Sequence, residues 1–162
     1  MRLTRIKQMF KLKLGDSETA RHTLLASLFD ISRVSEVVAR KSRIGQTNPR
    51  RFTIRTFLGH LVTHNQWNAN MRVLGDEVDN MFNGSIQDVE TIVTQLLARN
   101  MPIAVNQNFP PVIYDCLLLY GLRNYGAHAI DKIPDIFTRR YIEIIQMIYN
   151  GLFFIVENYS LI

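Results

Sequence analysis

The chain has 162 residues, 47% of them hydrophobic and 20% charged, with a net charge of +5. That length fits one domain with its own core, and the composition excludes a disordered chain. Eight glycines and five prolines exclude collagen-like and low-complexity classes, while the one cysteine, Cys116, excludes an internal disulfide framework and an all-cysteine zinc site and fits a reducing, cytoplasmic setting.

Residues 1–15 read as a basic arm. Leu3, Ile6, Met9 and Leu12 suit a helix, whereas residues 11–14 alternate like a strand. The opening MRLTRIKQMFKLKL has neither an apolar core segment nor a small-residue cleavage site, so no secretory leader is expected. Residues 16–162 form the expected helical domain. Asp16 and Ser17 offer an N-cap to a first helix, in which Leu24, Leu25, Leu28, Phe29, Ile31, Val34, Val37 and Val38 recur at three- and four-residue steps. Gly45, Asn48 and Pro49 mark residues 41–51 as a loop. A single second helix is expected over residues 54–82, with Phe57, Leu58, Leu61, Val62, Trp67, Met71, Leu74, Val78 and Phe82 on its apolar side. Asn83-Gly84 stops it, and Ser85 caps a third helix whose buried face holds Ile86, Val89, Ile92, Val93, Leu96 and Leu97.

Residues 100–108 read as a linker. Phe109-Pro110-Pro111 opens a fourth helix, where proline suits the first turn. It carries Val112, Ile113, Cys116, Leu117, Leu119, Tyr120 and Leu122, and runs into Arg123–His128. After residues 131–134 a fifth helix is expected as far as Tyr159, with Ile136, Phe137, Tyr141, Ile144, Ile145, Ile148, Leu152, Phe153 and Val156 as its stripe. Its most apolar stretch, residues 141–156, is interrupted by Glu143, Gln146 and Asn150 and is too short and polar to span a bilayer. With no strand-rich region and no internal repeat, the expected fold is an all-α antiparallel bundle of four to five helices.

Charge is unevenly spread. Residues 1–55 carry 13 Lys/Arg against 4 Asp/Glu, whereas residues 56–162 carry 6 against 10. The densest basic segment, residues 40–55, holds Arg40, Lys41, Arg43, Arg50, Arg51 and Arg55 and no acid. Such a cluster attracts polyanions, nucleic acid first among them, and these six are the candidate nucleic-acid-binding residues. A solvated loop, or an anionic membrane surface, is the alternative use of the same charge.

The segment Tyr120-Gly121-Leu122-Arg123-Asn124-Tyr125-Gly126-Ala127-His128 concentrates a permanent cation, an amide and a titratable ring. On an unbroken helix, positions 123 and 128 diverge by about 140°. Gly126 could kink the helix and bring them together. These groups suit a phosphodiester: arginine for the anionic oxygens, histidine for protons, asparagine for orientation. The structural alternative pairs Arg123 with Asp115, Asp131 or Asp135, or has it cap helix carbonyls, and leaves His128 as a helix C-terminal cation.

Residues 123–128 resemble the R-x4–6-H motif of HEPN domains, with Asn124 at the polar position that often follows the arginine. The resemblance implies a HEPN-like bundle of four or five helices working as a homodimer. It implies a metal-independent endoribonuclease in a toxin–antitoxin or antiviral-defence setting, with no cofactor. His128 would act on the ribose 2′-OH, Arg123 would stabilise the phosphorane, and Asn124 would assist. It also implies RNA as substrate and, in some systems, an antitoxin or regulatory subunit as partner. Ile130 stands where some such toxins carry a tyrosine that accepts a nucleotide, which departs from that subtype. Other HEPN domains serve only in nucleic-acid binding, protein binding or dimerisation, and this is the alternative function.

Other candidates are weaker. His60 and His64 lie one turn apart, as a zinc pair could, but Leu61 stands where a zincin motif needs glutamate, so a polar helix face is the expectation and no metal site is assigned. His22 reads as half-exposed. Cys116 reads as a buried small hydrophobe. Trp67, Phe153 and Phe154 read as core or dimer interface, and Arg139-Arg140 as a solvated face.

Overall fold

The computed structural model describes residues 18–44, 52–128 and 134–159, with backbone alone for 18–21, 24 and 126–128. The basic arm, the Asp16/Ser17 cap, Arg50, Arg51, Ile130 and Asp131 lie outside the described residues. The fold is all-α. Its helices are α1 (Glu18–Arg40), α2 (Ile54–Asn65), α3 (Met71–Phe82), α4 (Ile86–Leu97), α5 (Val112–His128), the short α6 (Ile136–Arg139) and α7 (Tyr141–Tyr159), with a 3-10 turn at Pro102–Ala104. Among the described residues there is no β-strand, although Asn68 and Asn108 meet in an isolated antiparallel bridge. No described helix is long and apolar enough to cross a membrane.

The expected second helix is two. Asn65 ends α2 because Gln66 takes a left-handed conformation (φ 54°, ψ 34°). The Trp67 N–H then donates to the Val62 carbonyl and the Gln66 N–H to Thr63, which is a Schellman closure. The chain restarts where the Asn70 side chain accepts the Val73 N–H at 3.1 Å and caps α3. Between the two, the Asn108 N–H donates to the Asn68 carbonyl, tying the break to the later linker. Trp67 and Ala69 still pack against the core, so the apolar spacing continues through a segment that is not helical.

The capped start at Ser85 is present as a reciprocal box with Asp88. Two bonds from the Ser85 hydroxyl and backbone N–H hold the exposed Asp88 carboxyl below its ordinary range. The expected fifth helix is also divided. Arg140 (φ −113°, ψ 25°) breaks it after Arg139, and α7 begins at the next residue. This one-residue joint leaves Ile136, Phe137 and Tyr141 all buried.

Helix α5 is the centre of the fold and touches α1, α2, α3, α4 and α7. Residues 115–122 are buried without interruption. A helix apolar all round must be enclosed on every side, and burial of each large side chain along it contributes roughly 1.5–3 kcal/mol. Cys116 is completely buried here, as expected, and burial pushes its thiol well above the usual range. One polar group is drawn in with it. Asp115, 3% exposed, is paired at 2.9 Å with Arg99, and its burial still raises the carboxyl's pKa against that pairing.

Candidate functional site

The second half of α5 passes close to the end of α3 because Gly121 of α5 has no side chain. A Cβ on Gly121 would fall 2.2 Å from the Phe82 ring, so only glycine admits this approach. Phe82 is buried, and Tyr125 lies 5.9 Å from it, ring centre to ring centre. Tyr125 also meets Phe29 at 6.0 Å and Phe137 at 5.6 Å. The aromatic residue in the middle of the Arg123–His128 segment is thus pinned between α1, α3 and α6, and burial raises its phenol's pKa. Its neighbours Arg123 and Asn124 are half-buried.

A connected polar network fills this region. Arg123 Nη2 lies 2.9 Å from Glu36 Oε1 of α1, and its Nη1 donates to Asn124 Oδ1 at 2.8 Å. Glu36 Oε2 is also 3.5 Å from Arg40 Nη2, so one carboxylate links two arginines. Asn124 Nδ2 donates to Asp79 Oδ1 of α3 at 2.8 Å. The other oxygen of Asp79 accepts from Tyr120 Oη at 2.5 Å and from Arg55 Nη1 at 2.8 Å. Arg55 reaches on to Asp76 Oδ1 at 2.5 Å and to the Arg72 carbonyl at 3.3 Å. It can lie along α3 because Gly75 leaves room; a Cβ there would sit 3.0 Å from Arg55 Nε. The bond to Asp76 holds the Arg55 guanidinium above its already high pKa, against the opposing effect of burial. Tyr120 is pushed up by burial first and by its bond to Asp79 second.

The structure therefore joins Arg123 and Asn124 to two of the basic-segment arginines, Arg40 and Arg55. The other two described members stand apart from this network. Lys41 is exposed on the turn after α1. Arg43 donates its backbone N–H to the Tyr159 carbonyl and its guanidinium to the Asn158 carbonyl, at the end of α7. Arg50 and Arg51 lie outside the described residues, and so does the side chain of His128. Gly126 does not end the helix: α5 continues through His128, and helical geometry sets positions 123 and 128 about 140° apart around the axis and about 7.5 Å apart along it.

Among the described residues Arg123 has an acidic partner other than Asp115, Asp131 and Asp135, of which Asp131 lies outside them. Asp115 faces Arg99 instead, while Arg123 pairs with Glu36, a residue no local spacing links to it. Glu36, Asp76 and Asp79 are the members that sequence reasoning missed. A signal for them exists. Glu36 interrupts the valine-rich stripe of α1, and Asp79 adjoins the buried Val78 of α3, so each is an acid at the margin of an apolar face.

His60 and His64 are both exposed, with the His60 ring stacked on Phe52 at 5.7 Å and the His64 ring edge-on to Tyr159 at 6.4 Å. His22 is exposed rather than half-exposed. Among the described residues, no group of three or more His, Cys, Asp or Glu could hold a metal ion. Trp67 and Phe154 pack against the core, whereas Phe153 is exposed. Arg139 is exposed and Arg140 pairs with Glu143.

No protein-family model, curated protein or solved structure matches the chain.

Proposed function

We propose that this all-α chain is a HEPN-like bundle and a metal-independent endoribonuclease, acting as a homodimer in a toxin or antiviral-defence setting. The observation that carries the reading is the placement of Arg123. Its guanidinium is held by Glu36 and Asn124 while 35% of the side chain remains exposed, on the same helix that carries His128. A fixed, partly exposed guanidinium suits the oxygens of a phosphorane, because its donors need no reorganisation as charge develops. Arg40 and Arg55 converge on the same network and suit neighbouring phosphates of an RNA strand.

In this reaction His128 takes the proton of a ribose 2′-OH, and the 2′-oxygen attacks the adjacent phosphorus. The bond from phosphorus to the 5′-oxygen breaks, and that oxygen receives a proton from a second acid. The products are a 2′,3′-cyclic phosphate and a 5′-hydroxyl, and DNA is resistant for want of the nucleophile. On the unbroken α5, positions 123 and 128 of one copy diverge around the helix, which favours a composite site taking arginine and histidine from two copies. His128→Ala is expected to lower RNA cleavage by about a hundredfold or more with helicity and dimerisation unchanged. Activity is expected to survive excess chelator. Gel analysis of RNA with wild type and variant, in chelator, tests both points. Wild-type cleavage by a folded His128→Ala variant removes the assignment.

One observation favours a non-catalytic RNA- or protein-binding module instead. Arg40, Arg55 and Arg123 are all paired with carboxylates, so the network is close to neutral. Tight RNA or protein binding with no cleavage in the same assay selects that reading.

A further inference from the structure

Asp79 lies at the junction of the network, and its geometry bears on Arg123 through one intermediate. A carboxamide has a donor end and an acceptor end. Because Asn124 gives its Nδ2 to Asp79 Oδ1 at 2.8 Å, its Oδ1 is the end that faces Arg123 Nη1, also at 2.8 Å. Flipping the amide would turn donor toward donor at the guanidinium and acceptor toward acceptor at the carboxylate. Asp79 therefore selects the amide orientation that Arg123 requires. Its second oxygen receives Tyr120 and Arg55. All three donors come from α2 and α5, whereas Asp79 belongs to α3, so one carboxylate aligns groups from separate helices.

Resting on the ribonuclease reading above, we propose that Asp79 is a positioning residue for RNA cleavage, acting on Arg123 through the amide of Asn124. It touches no substrate in this scheme. Its effect is on the step in which Arg123 meets developing charge, and not on ground-state binding of the strand. Asp79→Asn presents one acceptor and one donor where three donors arrive, so the Asn124 amide is no longer held in one orientation. Arg55 keeps its bond to Asp76 in that variant.

The experiment measures kcat and KM for single-stranded RNA cleavage by wild type and Asp79→Asn. Alongside, fluorescence anisotropy measures binding of a 2′-O-methyl RNA of the same sequence, which lacks the nucleophile. The expected result is a kcat lowered by about ten- to a hundredfold, the scale of a misplaced reacting group, with KM and 2′-O-methyl RNA affinity within about twofold of wild type. In a double-mutant cycle, Asp79→Asn is expected to cost nothing further once Asn124 is alanine. If Asp79→Asn does not fold, Asp79→Glu decides the matter. It keeps the charge but moves the carboxylate by one methylene, so kcat falls if position matters and holds if charge alone does. Unchanged kcat, a loss confined to KM or affinity, or full additivity with Asn124→Ala overturns the role of Asp79 and leaves the ribonuclease standing. A wild-type protein that cleaves no RNA overturns both.

Discussion

Two glycines on neighbouring elements respond oppositely to the same added methyl group. At Gly121 the new carbon would enter the ring of buried Phe82, and neither α3 nor α5 has room to yield without separating Asp79 from Tyr120 and Asn124. Gly121→Ala is expected to cost about 2 kcal/mol or more, read as a lower urea midpoint. At Gly59, inside α2, a Cβ meets nothing within 4 Å, and Gly59→Ala is expected to gain about 0.5–1 kcal/mol in the same titration through helix propensity alone. Sequence reading at this scale is uneven for a physical reason. Arg123 and Asn124 are legible as polar groups ending an apolar run, but their mutual bond is not, because adjacent helical positions diverge by about 100°. Glu36 and Asp79 reach them only by tertiary packing, and nothing in local spacing specifies which of many acids will arrive.

Among the elements, caps and apolar periodicity were readable wherever local chemistry decided the outcome, as at Ser85 and in the enclosed run of α5. They failed where a helix stops without glycine or proline. Gln66 occupies a left-handed position that glycine fills at lower steric cost, and it carries no sequence mark of doing so. Gln66→Gly is accordingly expected to raise stability by about 0.5–1 kcal/mol, whereas the β-branched Gln66→Val lowers it. Thermal melts followed by circular dichroism separate the two. A melting temperature for Gln66→Gly below that of wild type would show that the α2–α3 joint is held by something other than its backbone closure. Gly126 has a similar lesson: it lies within α5, which runs on to His128, so a glycine permits a helix to break but does not impose it.

At the scale of the packed bundle, the described residues bring cations and acids from opposite ends of the charge gradient together. Acids of α3, from the acidic part of the sequence, fold onto Arg55 of the basic part, and Glu36 holds Arg40 and Arg123 together. Composition alone could announce the cations; only the packed helices show how many of them are already satisfied. The all-α class and the extent of the core follow from apolar spacing because they sum over many residues, so no single misplaced boundary alters them.

The single thiol of the chain is sealed inside α5 and backed by α7, where Gly151 lets the two helices touch at the Asp115 and Cys116 backbone. Alkylating reagents can reach it only during an opening that parts the two helices, which makes the chain its own reporter of rare excursions from the folded state. Modification of Cys116 under native conditions is expected to be slower than that of a cysteine in a free peptide by on the order of a thousandfold or more, and to accelerate in Gly121→Ala as the opened population grows. Mass spectrometry of timed quenches gives both rates, and labelling at the free-peptide rate would mean that these central helices do not stay closed.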